Sequence, residues 1–284
     1  MSHAKVLAVI GGSGLYEIEG LSNVESFDIT TPYGPPSDTI VAGTLGDTRL
    51  LFLPRHGRGH RIAPHQVDYR ANICAMKQLG ATHVLSVSAV GSLREEIAPG
   101  DLVVVDQFVD LTRGRVSTFF EGGVVGHVSF ADPVCHDLAS SLVGVARMSG
   151  AKVHPSGTYV CIDGPQFSTR AESHLYRAWG MSVIGMTAMP EAKLAREARL
   201  PYALLALATD YDCWRASDEA VTVDAVVSVL RNNVETAKRI VANLVLALPD
   251  PAKSVARQSL DSAIMTDPSR VPESVRAKLG WLLA

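Results

Sequence analysis

Short apolar runs rich in β-branched residues recur along the chain at residues 6–10, 50–53, 84–87, 102–105, 159–162, 183–186 and 203–208. Their length and lack of polar alternation predict strands that are mostly buried. Between several of them, apolar positions fall at helical spacing over 66–79, 133–148 and 170–179, stopped by Gly80, Gly150 and Gly180. The longest such pattern, 222–248, opens at Thr222 as a candidate N-cap and closes before Pro249. Strand and helix therefore alternate, which predicts an α/β sheet sandwiched by helices, with the long helix across one face. After Leu248 the texture changes, because Asp250-Pro251, Asp267-Pro268 and Val271-Pro272 break any periodicity. The expected organisation is one domain over residues 1–248 and an appended C-terminal arm over 249–284.

Composition narrows the class. The 284 residues are 47% hydrophobic and 19% charged, enough apolar material for a large core and far from a disordered chain. Twenty-six basic against 29 acidic residues give a formal charge of −3, and no basic stretch is long enough to follow a nucleic-acid backbone. Nucleic acid is thus not an expected partner. No apolar run reaches the roughly 18 residues of a membrane helix, and the apolar run near the N-terminus is too short for a signal-peptide core. Cys74, Cys135, Cys161 and Cys213 lie far apart without a C-x-x-C pair, which fits reduced thiols in a cytoplasmic protein.

Candidate chemistry gathers where predicted strands end. Val9-Ile10-Gly11-Gly12-Ser13-Gly14 runs a strand into glycines whose backbone N–H groups, with the Ser13 hydroxyl, can cradle an anion. Neither the Rossmann fingerprint nor the P-loop fits, since Glu17 stands where the first needs a small residue and the Gly-Lys-Ser/Thr of the second is missing. Pro54-Arg55-His56-Gly57-Arg58-Gly59-His60 offers guanidinium and imidazole donors suited to phosphate. Val87-Ser88-Ala89-Val90-Gly91-Ser92 again ends a strand in small residues. Each alone also reads as a tight turn or a solvated loop, but three such ends in one α/β chain are expected to converge at the carboxyl edge of the sheet.

A fourth strand end, Ala208-Thr209-Asp210-Tyr211-Asp212, carries two carboxylates at i and i+2, which a continuing strand would put on one face. Adenine presents an acceptor at N7 and a donor at N6, so a protonated carboxyl and a carboxylate together match its edge. A polar strand end or helix cap is the competing account of this pair. The histidines show no metal-binding spacing, and no metal is expected.

Taken together, these segments resemble the methylthioadenosine phosphorylase branch of the trimeric purine nucleoside phosphorylases. The resemblance runs from about Val6 to Leu248 through Gly-Gly-Ser-Gly, Arg-His-Gly-Arg, Ala-Val-Gly-Ser-Leu-Arg-Glu-Glu-Ile, Asp-Gly-Pro-Gln-Phe-Ser-Thr-Arg-Ala-Glu, Gly-Met-Thr, Pro-Glu and Ala-Thr-Asp-Tyr-Asp-Cys-Trp. It implies a single-domain mixed β-sheet flanked by helices, and attack of inorganic phosphate on C1′ of 5′-methylthioadenosine with no cofactor. Carried over by motif, Ser13, Arg55, His56, the Ala89 N–H and Thr187 would bind phosphate. Phe167 would lie against base and ribose, Ser168 beside the base and Met186 under the ribose hydroxyls, while Asp210 and Asp212 would read adenine. The family's homotrimer, in which trimers can pair, would close the 5′ pocket partly with a neighbouring copy, which matches His127. Val223 and Val226, at i and i+3 on the long helix, are expected to present an apolar face to the same spot, and Leu282 to reach over from the arm. A 6-oxopurine or methylthioinosine phosphorylase and a non-catalytic nucleoside binder are the other readings, the first two disfavoured by the aspartate pair.

Overall fold

A computed structural model of the chain describes residues 5–12, 14–15, 18–215 and 223–283, with the side chains of 223–228, 230 and 231 outside that set. The chain opens with β1 (Val6–Gly11), β2 (Ser22–Phe27), β3 (Ile40–Leu45) and β4 (Thr48–Pro54), then α1 (Tyr69–Gln78) and β5 (His83–Ser92). β6 (Leu102–Val105), β7 (Gln107–Asp110), α2 (His136–Met148), β8 (Val153–His154), β9 (Thr158–Cys161) and α3 (Arg170–Ala178) follow. β10 (Val183–Gly185), α4 (Ala188–Glu197), β11 (Tyr202–Asp210), α5 (Val223–Ala247) and α6 (Glu273–Leu283) complete the described elements. Every apolar run expected to be a strand is one, and each helical pattern holds a helix.

The sheet is mixed. β4, β1, β5 and β11 are parallel neighbours in that order, so their carboxyl ends share one edge. β5 is longer than its partners, and past the end of its pairing with β1 its last residues, Gly91 and Ser92, pair antiparallel with β10. That switch opens a crevice where chain direction changes, the usual place for a ligand in such sheets.

Alternate residues of the central strands feed two cores, as the period of two requires. Ala8, Ile10, Leu51, Leu53, Leu204 and Ala206 face α1 and α4, whereas Leu7, Val9, Leu50, Phe52, Leu205 and Leu207 face α2 and α5. The long helix does pack across one face. Strands buried on both sides explain why their sequences do not alternate.

The 249–284 segment is less separate than its composition suggests. Leu260, Ala263, Leu279 and Leu282 are buried in the same core as α1 and α4. The His127 N–H donates to the Ala263 carbonyl and the Met265 N–H to the Val125 carbonyl, both at 2.8–2.9 Å. Lys278 and Arg70 share the carboxylate of Glu121, and Trp281 packs edge-on against Phe119. The expectation of an appended arm whose Leu282 reaches across a subunit boundary to cap a neighbour's pocket is therefore corrected. At 2% exposure Leu282 is used by its own chain's core.

Candidate active site

The shared carboxyl edge borders a cavity of about 300 Å³. Arg55 and His56 enter it after β4, Ala89 from β5, Asp210 from the end of β11, and Met186 and Thr187 from the turn between β10 and α4. Phe167, Ser168 and Asp212 line it from loops. The structure thus brings together most of the residues picked from the sequence. His127 is exposed and does not line the cavity in a single chain, and neither does Leu282. Ser13 lies outside the described residues, and so do the side chains of Val223 and Val226, whose backbones belong to α5.

At the β4 end, Arg55 is only 2% exposed and its fork is turned into the protein. Nε donates to Glu191 Oε2 at 2.8 Å and Nη2 lies 3.1 Å from Glu191 Oε1, an ion pair in which Glu191 has no exposure at all. Nη2 also meets Ser86 Oγ and the Ile10 carbonyl, and Nη1 meets the Val87 carbonyl. Of five guanidinium hydrogens, one on Nη1 remains for a ligand. The expected role of Arg55 as a phosphate ligand is thereby narrowed to that single hydrogen, because the paired donors of its fork are occupied by Glu191.

His56 is tied by Nδ1 to the Ile62 carbonyl at 2.8 Å and stacks on His60 with ring centres 4.2 Å apart. A carbonyl can only accept, so Nδ1 carries the hydrogen and Nε2 is left as an acceptor. Burial, reinforced by the Arg55 charge, pushes the imidazole down to about 4. Nearby, the buried Tyr159 hydroxyl lies 3.4 Å from both Ser88 Oγ and the Thr187 N–H, and Ser88 Oγ is equally far from Thr187 Oγ1. Tyr159 can reach this spot because residue 185 is glycine: a Cβ there would stand 2.0 Å from its hydroxyl oxygen.

At the β11 end the strand stops at Asp210 after an irregularity between Ala208 and Asp210, and Asp212 sits in a turn with φ of +53°. The two carboxylates are therefore not aligned by strand period, as the sequence suggested. A turn does it instead: the Asp212 N–H donates to Asp210 Oδ1 at 2.7 Å, while Thr209 Oγ1 donates to Oδ2 at 2.7 Å. Asp212 is 7% exposed and its Oδ2 makes no hydrogen bond of good geometry, although the buried Ser173 hydroxyl lies near enough to its carboxylate to oppose the rise in its pKa; the Ser168 hydroxyl is likewise buried without a partner. Unmatched buried polar atoms of this kind are costly unless a ligand answers them. Burial raises the pKa of Asp210, and burial together with the neighbouring Asp210 charge raises that of Asp212.

Between these ends lies Met186, whose sulfur packs over Gly164; a Cβ at 164 would stand 2.3 Å from it, and the backbone there has φ of +63°. Arg115 stands behind the floor, donating to the carbonyls of Met186, Met189 and Asp163 at 2.7–2.9 Å. Sequence reasoning gave no role to Ser88, Tyr159, Arg115 or Glu191. Only Glu191 had a readable sign, a carboxylate set among small and apolar residues in Ala188-Met189-Pro190-Glu191-Ala192.

Among the described residues no group of three or more His, Cys, Asp or Glu side chains is placed to hold a metal ion, and no helix is long and apolar enough to cross a membrane.

An α/β sheet with a ligand crevice at its switch point and this set of strand ends defines a nucleoside-handling enzyme site, and the comparisons make the class specific. The chain belongs to the phosphorylase superfamily, whose sequence profile matches residues 6–246. It is 53% identical over 280 residues to an S-methyl-5'-thioadenosine phosphorylase of Geobacter sulfurreducens, covering 98% of each chain. A crystal structure of a methylthioadenosine phosphorylase from an antarctic soil metagenomic library superposes with a TM-score of 0.94 at 48% identity and 99% coverage of both chains. A Schistosoma mansoni methylthioadenosine phosphorylase in complex with adenine gives 0.82 at 37% identity, over 98% of this chain and 97% of that one.

Proposed function

We propose that this protein is an S-methyl-5'-thioadenosine phosphorylase, which converts 5′-methylthioadenosine and inorganic phosphate to adenine and 5-methylthioribose 1-phosphate. The observation that carries this reading is the pair of buried carboxylates, one oxygen orphaned, in the same cavity as the anion-compatible strand ends. The identity of relatives near half of all positions supports it along the full length.

The chemistry follows from charge. Phosphate held beside C1′ by the Ala89 N–H, Thr187 and the remaining Arg55 hydrogen, with His56 Nε2 accepting from its protonated oxygen, attacks as the glycosidic bond breaks, and Ser13 belongs to this set by its motif. Positive charge grows on the ribose and negative charge on the purine, so an anion at one end and an acid at the other stabilise one transition state. Asp210, its pKa raised, gives a proton to N7; Asp212 Oδ2 accepts from the N6 amino group. Ser168 lies beside the base, Phe167, 51% exposed, covers it, and Met186 underlies the ribose. Phosphate supplies the nucleophile, so the reaction needs no metal or organic cofactor.

We place the active assembly as a homotrimer in which His127, exposed and off its own cavity, closes the 5′ end of a neighbour's site beside Val223 and Val226. Unpaired thiols support a cytoplasmic setting. The test is adenine release from methylthioadenosine with and without phosphate. Strict phosphate dependence is expected. Tight nucleoside binding without turnover would overturn the reading in favour of a binding protein, and a preference for inosine would favour a 6-oxopurine enzyme.

A further inference from the structure

Glu191 has no place in the chemistry above, yet it is completely buried beside the phosphate end and takes two of the Arg55 donors. Tyr202 donates a further hydrogen bond to its Oε1 at 3.1 Å. Arg55 is the only lysine or arginine among the described residues that line the cavity. The one formal cation available to phosphate is thus already matched by a carboxylate. What else faces the anion is backbone N–H and hydroxyl groups, and the His56 Nε2, an acceptor that can take only the hydrogen of a protonated phosphate oxygen.

The geometry points to Glu191 as a positioning residue that acts through Arg55: it fixes the guanidinium and cancels its charge, so that phosphate binds in a cradle with no net positive charge. This inference rests on the phosphorylase reading and deepens it. An anion that meets a full cation is held tightly but has its charge neutralised in the ground state. An anion held by hydrogen bonds to neutral groups keeps its charge for the positive ribose of the transition state, where stabilisation raises kcat. Phosphate affinity is given up for rate, and a co-substrate abundant in cells tolerates that exchange.

The prediction is a split between KM and kcat. Glu191→Gln keeps the shape and an oxygen to accept from Nε, but frees the guanidinium charge. The KM for phosphate should fall about tenfold, which corresponds to about 1.4 kcal/mol. In the same variant kcat should fall by a similar factor, and the KM for the nucleoside should stay within about twofold of wild type. A merely structural role would lower the active fraction and leave the phosphate KM alone. Glu191→Asp keeps the charge but draws it back by one methylene, and a fall of about threefold in the phosphate KM is expected. An unchanged or raised phosphate KM in either folded variant overturns the proposal. Should neither variant fold, the wild-type enzyme decides: raising potassium chloride from 0.05 to 0.5 M should change its phosphate KM less than about threefold, because screening acts weakly on a neutral cradle. A rise of tenfold or more would show a net cation and sink the idea. Adenine release by wild type in the absence of phosphate would instead remove the phosphorylase reading itself, so the two failures are distinguishable.

Discussion

The two ends of the cavity are built on opposite principles. At the phosphate end the polar groups are largely satisfied before any ligand arrives: Arg55 by Glu191 and three other acceptors, His56 by Ile62, Thr187 by Tyr159. At the base end, Asp212 Oδ2 and the Ser168 hydroxyl are buried and unanswered. The difference matches the ligands. Phosphate has several equivalent oxygens and brings its own charge, so a rigid frame of dipoles can hold it. A purine edge is neutral and fixed in pattern, and reading it takes a site that is unsatisfied until the right donor and acceptor arrive.

The largest effect should come from breaking the satisfied end. Arg55→Ala leaves the Glu191 carboxylate buried without its partner, a loss that typically costs about 3–5 kcal/mol. Urea denaturation should report a loss of that size, well beyond any change in phosphate binding. A variant within about 1 kcal/mol of wild type would mean that the ion pair does not frame this end. Next comes the acid at the other end. Asp210→Asn keeps the shape but removes the proton donated to N7, and kcat with methylthioadenosine should fall about 10²-fold or more while the melting curve moves little. If kcat holds, Asp210 leaves the mechanism.

The asymmetry also explains what could be read from the sequence. Strands buried on both faces announce themselves as unbroken apolar runs, so the central strands and their helices were legible from one chain. The edge strand β2, with exposed residues through most of its length, carries no such pattern and was not. α4 escaped because its helical stretch is short and interrupted at Met189, where φ and ψ leave the helical region. Ligand-facing groups on glycine-rich strand ends were visible by type. Their supports were not, because each acts through contacts with segments distant in sequence: Tyr159 and Arg115 left no sign, and Glu191 only that of a carboxylate set among small and apolar residues, with nothing to name Arg55 as its partner. Pro and Asp pairs after Leu248 suggested a detached arm, since local punctuation says nothing of the long-range contacts that bury Leu279 and Leu282.

A smaller effect should sharpen the base end. Asp212→Asn replaces the orphan acceptor by an amide that can turn its oxygen or its NH₂ toward the base. A hydrogen bond to a charged group is worth about 1.5–3 kcal/mol, so the nucleoside KM should rise about tenfold to a hundredfold. The phosphate KM should not move, because the change lies at the other end of the cavity. Relative activity toward 6-oxopurine nucleosides should increase, as an amide can donate to O6. Equal shifts in both KM values would mean that the two ends are not independent, and the comparison would fail.

The smallest effect is a pH dependence of stability that samples one histidine at the phosphate end and one far from it. His56 and His83 are both pushed down to about 4, chiefly by burial. Nearby positive charges add to this, Arg55 and His60 for the first and Lys5 and Arg257 for the second. His83 opens β5, at the opposite end of that strand from the cavity. The unfolded chain, with ordinary histidines near 6.5, binds more protons than the native state between about pH 4 and 6.5. Stability is therefore complete above that window and is lost as pH falls through it. From pH 7.5 to 6 the loss should be about 1 kcal/mol for each histidine, read as a falling urea midpoint. His56→Gln removes the one of these two titrating groups that lies at the phosphate end and should keep about half of that slope. A variant that retains the whole slope would show that His56 is not held neutral by its site, and the picture of a phosphate end satisfied in advance would have to be given up for that residue.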